Sequence, residues 1–263
     1  MISPTRLTEF ATFAERLADA ARVILHDAGH GAIGGETKGD GSPVTAVDRM
    51  VEDRLRAMIV EAYPEHGVVG EERGACSADR ELVWVLDPID GTLPFLAGIP
   101  VYGTLIALVS GKASVLGVIE MPATGERWIG CKGRPTVCNG IPVNVRPCPD
   151  LSGAMLSTSN PDFYAGPDVA MFQRLKERVR WTVYGGSCMA YAQIASGRID
   201  LGVDVAFDPF DYLALVPVIE GAGGVITDWA GAPLTLESGD RLITAGDRRT
   251  HAQAIACLSS GQA

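Results

Sequence analysis

The stretch LVWVLDPIDGT, residues 82–92, determines the architecture around it, because an apolar run typical of a buried strand ends in acidic residues. Asp87 ends the run, Pro88 turns the chain, and Asp90 follows before a Gly-Thr pair. Two carboxylates at the end of a buried strand lose hydration and repel each other, so some other interaction must compensate this cost. Paired oxygen ligands suit Mg²⁺. The alternative is an Asp-Pro turn whose carboxylates are solvated.

The sequence on either side of this stretch predicts two helices against a largely antiparallel sheet in residues 1–148. Apolar residues recur at three- and four-residue steps over residues 7–25 and again from Val47 to Ile59, which is typical of amphipathic helices. The Gly-rich residues 31–43 predict a loop between these helices. The predicted strands are short apolar runs at 82–87, 103–109, 113–121 and 126–130, and Asn139-Gly140 predicts a tight turn after them.

Residues 149–263 show a different rhythm, in which strand-like runs alternate with helical stretches, as in a layered α/β arrangement. The predicted strands are 154–159, 180–185, 199–205, 224–229 and 241–246, and the predicted helices lie near 167–178, 187–197, 209–222 and 247–258. No flexible linker separates the two halves, so we expect one compact domain over residues 1–263.

Composition narrows the class of protein. The 263 residues are 47% hydrophobic and carry 22 basic against 32 acidic side chains, and the net charge of −10 argues against a nucleic-acid partner. No apolar run approaches the roughly 20 residues of a membrane span, and the N-terminal residues do not resemble a signal peptide. The six cysteines form no CxxC pair, so we expect reduced thiols in a cytoplasmic protein. An anionic substrate would then need a metal or a local positive charge.

Three further acidic features favour a magnesium site. The run GVVGEE places Glu71 and Glu72 directly after apolar residues, and Asp211 begins a very apolar stretch in which an acid is otherwise unexpected. Asp48 begins the second helix, although Thr45-x-x-Asp48 also matches a capping box, which is a purely structural device. Acids at the ends of several elements together predict a phosphate site with more than one Mg²⁺.

The run Asp90-Gly91-Thr92-Leu93 also resembles the DGTL motif of haloacid-dehalogenase-type phosphatases. Those enzymes need a nucleophilic Asp two positions before the second Asp, and Pro88 occupies that position here. The sequence therefore excludes this mechanism.

The acidic motifs, taken in order, resemble those of the inositol monophosphatase superfamily. The family's first motif is matched by DPIDGT at 87–92, the upstream GEE by residues 70–72, the helix acid by Asp48, and the C-terminal motif by Asp211 with Gly223-Gly224. The resemblance covers nearly the whole chain. It implies the five-layered αβαβα sandwich of these phosphatases, with an α+β first half and an α/β second half.

The resemblance implies two to three Mg²⁺ ions in the active site. Glu71, Asp87 and the carbonyl of Ile89 would bind the first ion. Asp87, Asp90 and Asp211 would bind the second, with Asp87 bridging the two. A third, weaker ion would lie near Glu71 and be held largely by water.

The resemblance also implies how a phosphomonoester is hydrolysed. The backbone N–H groups of Gly91 and Thr92 would hold the phosphate. Thr92, paired with Asp48, would orient and deprotonate a metal-activated water beside Glu71, without a covalent phosphoenzyme. Asp48, Glu71 and Thr92 are thus the predicted catalytic residues. The implied partner is a small phosphomonoester, and the family suggests a homodimer.

The runs at 98–109, 157–164 and 209–224 are similar to the branch of the superfamily that dephosphorylates histidinol phosphate. Asp204 occupies a position that faces the substrate in that branch, although an exposed loop acid is the alternative. Ser187, which follows Gly186, stands where that branch usually has Asp, and a small hydroxyl residue at this position is typical of inositol-type enzymes. Ser187 could also cap the helix that follows it. We therefore predict histidinol phosphate, with inositol 1-phosphate as the alternative and Gly186, Ser187 and Asp204 as substrate contacts.

Two other functions stay open. A sugar or nucleotide bisphosphate phosphatase would need basic residues for a second phosphate, and few lie near the motifs, although Lys38, Arg73 and Arg198 are candidates. A non-catalytic interaction protein would not need to retain all of the predicted metal-binding and water-orienting residues, so their joint presence argues against it.

Overall fold

The computed structural model describes residues 2–28, 34–39 and 41–259, in which helices separate two large β-sheets. The helices are α1 (Pro4–Ala28), α2 (Ala46–Ala62), α3 (Thr92–Ala97), α4 (Pro167–Lys176), α5 (Ser187–Ala195), α6 (Pro209–Tyr212), α7 (Leu215–Gly221) and α8 (Arg248–Ser259), with 3₁₀ turns at Leu151–Gly153 and Pro161–Phe163. In the described part of the chain, no helix has both the length and the apolar character needed to cross a membrane.

The strands of the first half form an eight-stranded sheet and a separate hairpin. They are β1 (Gly35–Thr37), β2 (Pro43–Thr45), β3 (Gly67–Gly70), β4 (Gly74–Cys76), β5 (Leu82–Asp90), β6 (Gly103–Ser110), β7 (Ala113–Met121), β8 (Glu126–Cys131), β9 (Val137–Cys138) and β10 (Ile141–Pro142). The sheet order is β10-β9-β8-β7-β6-β5-β3-β4, and every pairing is antiparallel except that of β3 with β5. The largely antiparallel sheet predicted for this half is therefore observed.

The second half contains a five-stranded sheet. Its strands are β11 (Met155–Thr158), β12 (Trp181–Tyr184), β13 (Leu201–Asp204), β14 (Val225–Thr227) and β15 (Leu242–Ala245), in the order β12-β11-β13-β15-β14. β12, β11 and β13 run parallel to one another, whereas β15 is antiparallel to both of its neighbours.

The elements stack in five layers, as the resemblance implied. α1 and α2 cover one face of the eight-stranded sheet, and α5, α6 and α7 lie between the two sheets. α4 and α8 cover the outer face of the five-stranded sheet. Alternate residues of β5 belong to different cores, since Trp84 packs towards α1 and α2 and Val85 towards α5 and α7. Burial on both faces explains why β5 reads as a continuous apolar run.

Two sequence expectations concern the turns. Asn139 and Gly140 connect β9 to β10 with φ of +48° and +79°, as a tight hairpin turn requires. The loop predicted over 31–43 is only partly correct, because β1 pairs antiparallel with β2. Residues 31–33 and 40 of that predicted loop lie outside the described residues.

The single helix predicted near 209–222 is instead two short helices, α6 and α7. Pro217 has no N–H to donate to the carbonyl of Leu213, four residues earlier. The hydroxyl of Ser114 on β7 donates to that carbonyl at 2.7 Å instead. The break places Asp211 on a separate helical turn beside β5.

Candidate metal-dependent active site

Three carboxylates converge where β5 ends. Asp87 and Asp90 lie on β5 and Asp211 on α6, and oxygen atoms of the three lie within 4.8 Å of one another. Residues three apart on a regular strand point to opposite faces. Here the register shifts between Asp87, which pairs with Leu105, and Asp90, which pairs with Gly103. This bulge adds one residue on β5 and brings both carboxylates to the same side.

Backbone N–H groups hold two of these carboxylates in place. Asp90 Oδ2 accepts a hydrogen bond of 2.5 Å from the N–H of Cys188 in the first turn of α5. Asp211 Oδ2 accepts one of 2.7 Å from the N–H of Asp208 and completes a capping box at the start of α6. The orientation of each carboxylate is therefore set by the start of a helix.

Asp87 differs because it is 1% exposed and neither of its oxygens accepts a hydrogen bond from any described residue. Burial, followed by repulsion from neighbouring carboxylates, raises the pKa of Asp87 well above its ordinary range. Burial also strongly raises the pKa of Asp211. Burial raises the pKa of Asp90 too, although the hydrogen bond from Cys188 opposes this shift. A buried carboxylate without a donor, such as that of Asp87, is ionised only beside a cation, and a compact set of oxygen ligands fits Mg²⁺.

Glu71 follows β3 and lines the same cavity as Asp90 and Asp211. The ammonium of Lys38 lies 2.6 Å from carboxylate oxygens of both Glu71 and Glu72. Burial raises the pKa of Glu71, and the contact with Lys38 opposes this shift. Partial burial disfavours the charge on Lys38, but its hydrogen bonds to the two glutamates prevail and raise the pKa of Lys38. A fixed positive charge thus lies beside the predicted metal ligand.

Asp48 is both a helix cap and a partner of Thr92. Its Oδ2 accepts the N–H of Thr45 at 2.8 Å, and the Thr45 hydroxyl in turn accepts the N–H of Asp48, which completes the capping box at α2. The hydroxyl of Thr92 lies 3.4 Å from Asp48 Oδ1 and 3.1 Å from the carbonyl of Ile89. The capping interpretation and the predicted pairing with Thr92 are therefore compatible, since they use different oxygens.

A cavity of about 290 Å³ adjoins these carboxylates. Part of its wall is apolar and is formed by Leu93, Pro94, Phe163 and Phe207. Leu93 and Phe163 are 57% and 48% exposed, so large apolar side chains lie at the surface beside an acidic centre. The cavity can accept a ligand with one anionic end and one apolar end.

The rest of the wall is polar and includes Ser159, Asn160 and Ser187. Ser187 lies so near Gly91 that a Cβ on Gly91 would be 2.7 Å from its hydroxyl oxygen, and Gly91 itself has φ of +83°. Ser187 and Ala206 adopt φ of +45° and +60°, which is uncommon for residues other than glycine. Such backbone strain is typical of functional sites. Gly186 precedes Ser187 as the N-cap of α5.

Asp204 lies behind the wall of the cavity, since it is 2% exposed at the end of β13. Its Oδ1 accepts the hydroxyl of Thr158 at 2.8 Å and the N–H of Ser159 at 2.7 Å. Its Oδ2 accepts the hydroxyls of Ser159, at 3.2 Å, and Tyr191. The carboxylate is thus fully occupied by protein donors. Asp204 is therefore not an exposed loop acid, and its carboxylate is not freely accessible to a substrate.

The sequence does not predict the apolar wall of the cavity, which includes Phe163 and Phe207. Asn160 and Phe163 lie in the turn that follows β11, and Phe207 lies between β13 and α6. The Asn160-Pro161 pair signals a turn in the sequence, but nothing local indicates that this turn faces β5. The sequence predicts Lys38 only as a candidate ligand for a second phosphate, whereas in the structure its ammonium pairs with Glu71.

Comparison with known proteins agrees with this geometry. A family model described as the inositol monophosphatase family matches residues 6–262. The bifunctional phosphatase IMPL2 of Arabidopsis thaliana is 41% identical over 98% of this chain and 77% of that protein. A histidinol-phosphatase of Chlorobaculum parvum is 31% identical over 92% of this chain and 93% of its own length. A solved inositol monophosphatase structure from Zymomonas mobilis superposes with a TM-score of 0.88 at 38% identity, covering 95% of this chain and 98% of that one. The chain therefore belongs to the inositol monophosphatase family and is a phosphatase, a phosphoric monoester hydrolase.

Proposed function

We propose that this phosphatase hydrolyses histidinol phosphate in a Mg²⁺-dependent reaction. The observation that carries this choice is the apolar wall formed by Leu93, Phe163 and Phe207 beside the carboxylates. Histidinol phosphate carries a flat imidazole ring, which packs against aromatic surface. Inositol phosphate presents hydroxyls around its ring, and each would lose hydration against such a wall. The name of the Chlorobaculum relative supports the same choice.

Asp87, Asp90, Asp211 and Glu71, with the carbonyl of Ile89, are the groups that would hold two to three Mg²⁺ ions. When bound, these ions supply positive charge for the phosphate oxygens and lower the pKa of a water molecule. A local positive centre of this kind is what a chain of net charge −10 needs to accept an anionic ester.

Thr92 and Asp48 would orient the attacking water and take up its proton. Because the Thr92 hydroxyl lies near Asp48 Oδ1, a proton accepted by Thr92 Oγ can pass to this carboxylate. The N–H groups of Gly91 and Thr92 would hold the phosphate, since first-turn N–H groups have no acceptor within their own helix.

Asp204 would act on specificity through the residues that it holds. It anchors Ser159, which lines the cavity, and binds Tyr191 of α5, the helix that carries Ser187. We expect Asp204→Ala to lower kcat/KM for histidinol phosphate far more than for a generic phosphomonoester. Equal losses on both esters would reject a role in specificity.

The polar part of the cavity wall favours inositol 1-phosphate as the alternative substrate. Ser159, Asn160 and Ser187 give the cavity hydroxyl and amide groups suited to a polyol. A bisphosphate substrate has less support, because no lysine or arginine is among the described residues that line the cavity. Lys38 instead pairs with Glu71, and Arg73 pairs with Asp53 at 2.6 Å.

A steady-state comparison of four esters tests the proposal: histidinol phosphate, inositol 1-phosphate, fructose 1,6-bisphosphate and adenosine bisphosphate. We expect kcat/KM to be highest for histidinol phosphate, by about tenfold or more over inositol 1-phosphate. A higher value for inositol 1-phosphate would establish the alternative. Turnover that persists without divalent metal, or in Asp90→Asn, would reject the mechanism. No turnover on any ester would favour a non-catalytic interaction protein.

We also propose that the protein is a cytoplasmic homodimer that binds neither nucleic acid nor membranes. The six free cysteines suit a reducing compartment. Trp181, Val183 and Tyr184 are exposed on β12, at the edge of the five-stranded sheet, and offer apolar surface to a second copy. Analytical ultracentrifugation would test the dimer, and a monomer at micromolar concentration would reject it.

A further inference from the structure

Glu52 is a buried carboxylate that the proposed reaction does not use. It lies on α2, one helical turn after Asp48, and is 0% exposed. A fully buried acid is costly unless its oxygens are satisfied. Its partners therefore indicate what it does.

Glu52 accepts hydrogen bonds from two backbone N–H groups of the turn that contains Glu71 and from one arginine side chain beside that turn. Glu52 Oε2 accepts the N–H of Glu72 at 2.7 Å, and Oε1 accepts the N–H of Arg73 at 3.1 Å. The guanidinium of Arg56 donates to Oε1 at 2.6 Å from the outer side. The backbone directly after Glu71 is thus bound by one carboxylate.

Gly70 provides a second, steric observation at the same place. A Cβ on Gly70 would lie 2.2 Å from Glu52 Oε1, closer than a non-bonded carbon and oxygen approach each other, so the carboxylate would have to move. The carboxylate therefore sits against the backbone on one side of Glu71 and bonds the backbone on the other side. Glu71 is held between these two contacts.

We propose that Glu52 is a positioning residue that sets the divalent-cation affinity of the site by fixing Glu71. One helix, α2, then places both Asp48, which faces Thr92, and Glu52, which fixes the metal-binding turn. This inference rests on the proposed role of Glu71 as a metal ligand. Groups that orient metal ligands typically change metal affinity by about 10–100-fold when they are replaced.

Glu52→Gln is the informative variant because it keeps the side-chain volume and removes one acceptor. A carboxylate accepts at both oxygens, whereas an amide would direct its NH₂ group at the N–H of Glu72 or at the donors Arg73 and Arg56. The turn should loosen while the helix remains. Asp53→Asn is the matched control, since Asp53 is the next residue of α2, is 55% exposed, and pairs with the side chain of Arg73 at 2.6 Å.

Mn²⁺ is the probe, and its binding to the metal-free full-length protein is measured by electron paramagnetic resonance. We expect Glu52→Gln to weaken Mn²⁺ binding by about tenfold or more, and Asp53→Asn to stay within about twofold. In activity assays, the Mg²⁺ concentration for half-maximal rate should rise for Glu52→Gln. The rate at saturating Mg²⁺ should recover to within about threefold of the wild type, because the chemical groups remain in place.

The outcomes separate this inference from the proposed function. Intact Mn²⁺ binding in a folded Glu52→Gln variant, as judged by circular dichroism, would overturn the inference alone. Absence of Mn²⁺ binding in the wild type would reject the metal site and the inference with it. If Glu52→Gln does not fold, Arg56→Gln decides, since it releases the same carboxylate from its outer side. Weaker Mn²⁺ binding would support the role of Glu52, and unchanged binding would overturn it.

Discussion

Asp87 lies in the middle of the carboxylate cluster, buried and without a hydrogen-bond donor among the described residues. In the metal-free protein, its charge is opposed by burial and by Glu71, Asp90 and Asp211. Arrangements that lower the stability of the folded state persist at functional sites because activity requires them. The same carboxylate should therefore limit stability and support function.

We expect Asp87→Asn to raise the thermal midpoint of the metal-free protein and to abolish Mg²⁺-dependent phosphate release. The amide removes a negative charge at nearly constant volume, so repulsion decreases, and it is a poor cation ligand. For a domain of this size, relief of about 1 kcal/mol corresponds to about 2–4 °C. Calorimetry in EDTA and a phosphate-release assay measure both effects. Asp79→Asn, at an exposed position, is the control and should change neither the thermal midpoint nor the rate of phosphate release. A lower midpoint for Asp87→Asn would contradict the prediction.

Asp204 should make stability depend on pH. Burial raises the pKa of Asp204 to about 6 despite the hydrogen bonds that it accepts. Since the unfolded carboxyl titrates near its ordinary pKa of about 4, its contribution to stability is complete below about pH 4 and is lost as the pH rises through about 6. From about pH 5 to about pH 7, the wild type should lose about 1 kcal/mol more unfolding free energy than Asp204→Asn. Urea titrations at both pH values test this, and parallel losses would contradict it.

At the scale of elements, α7 approaches the eight-stranded sheet closely because the sheet offers glycine there. A Cβ on Gly117 would lie 2.0 Å from the carbonyl oxygen of Ala214, and one on Gly130 would lie 2.3 Å from the carbonyl group of Pro217. Because no side chain stands between the backbones, α7 packs directly on β7 and β8, while α6 contacts β5 and β6. This packing also keeps Asp211 next to β5.

Ser114 is the polar side chain in this packing that should matter most. Its hydroxyl donates to the Leu213 carbonyl that Pro217 leaves without a helical donor, and Ser114 is 6% exposed. We expect Ser114→Ala to lower the free energy of unfolding by about 1–3 kcal/mol, because a buried carbonyl loses its partner. Urea unfolding measures the change. Ser259→Ala is the control, since its hydroxyl donates to the Ile255 carbonyl at an exposed position, and a similar loss there would contradict the argument.

At the scale of the whole molecule, the candidate active site lies where the two halves of the chain meet. Asp90 of the first half accepts its hydrogen bond from Cys188 of the second, 98 residues later. The core between the sheets includes Val85 from β5, Ile194 from α5 and Leu242 from β15. The halves thus share both a core and a site, which supports our proposal of one domain over residues 1–263.

We expect calorimetry of the full chain to show one unfolding transition, with equal calorimetric and van't Hoff enthalpies. A shared core couples the halves, so neither should unfold alone. Mg²⁺ should shift the whole transition to higher temperature, since cations bind only the folded cluster. Two resolved transitions, or a Mg²⁺ shift confined to one of them, would show that residues 1–148 and 149–263 unfold separately.

Much of this protein follows from its sequence because the signals are local. Apolar periodicity predicts α1 and α2, and the apolar run before Asp87 predicts β5. Thr45 and Asp48 lie three residues apart, so their capping box can be read directly from the chain. The ordered acidic motifs identify the family, and the family fixes the five-layered fold.

The tertiary structure alone decided which distant groups act together. Glu52 meets Glu72 across 20 residues and Asp204 meets Ser159 across 45, and no periodicity or motif spacing encodes such contacts. The apolar wall of the cavity likewise depends on how the turn after β11 packs beside β5. A side chain's place relative to a cavity depends on the packing of whole layers, whereas its place in a helix or strand depends only on its near neighbours in the chain.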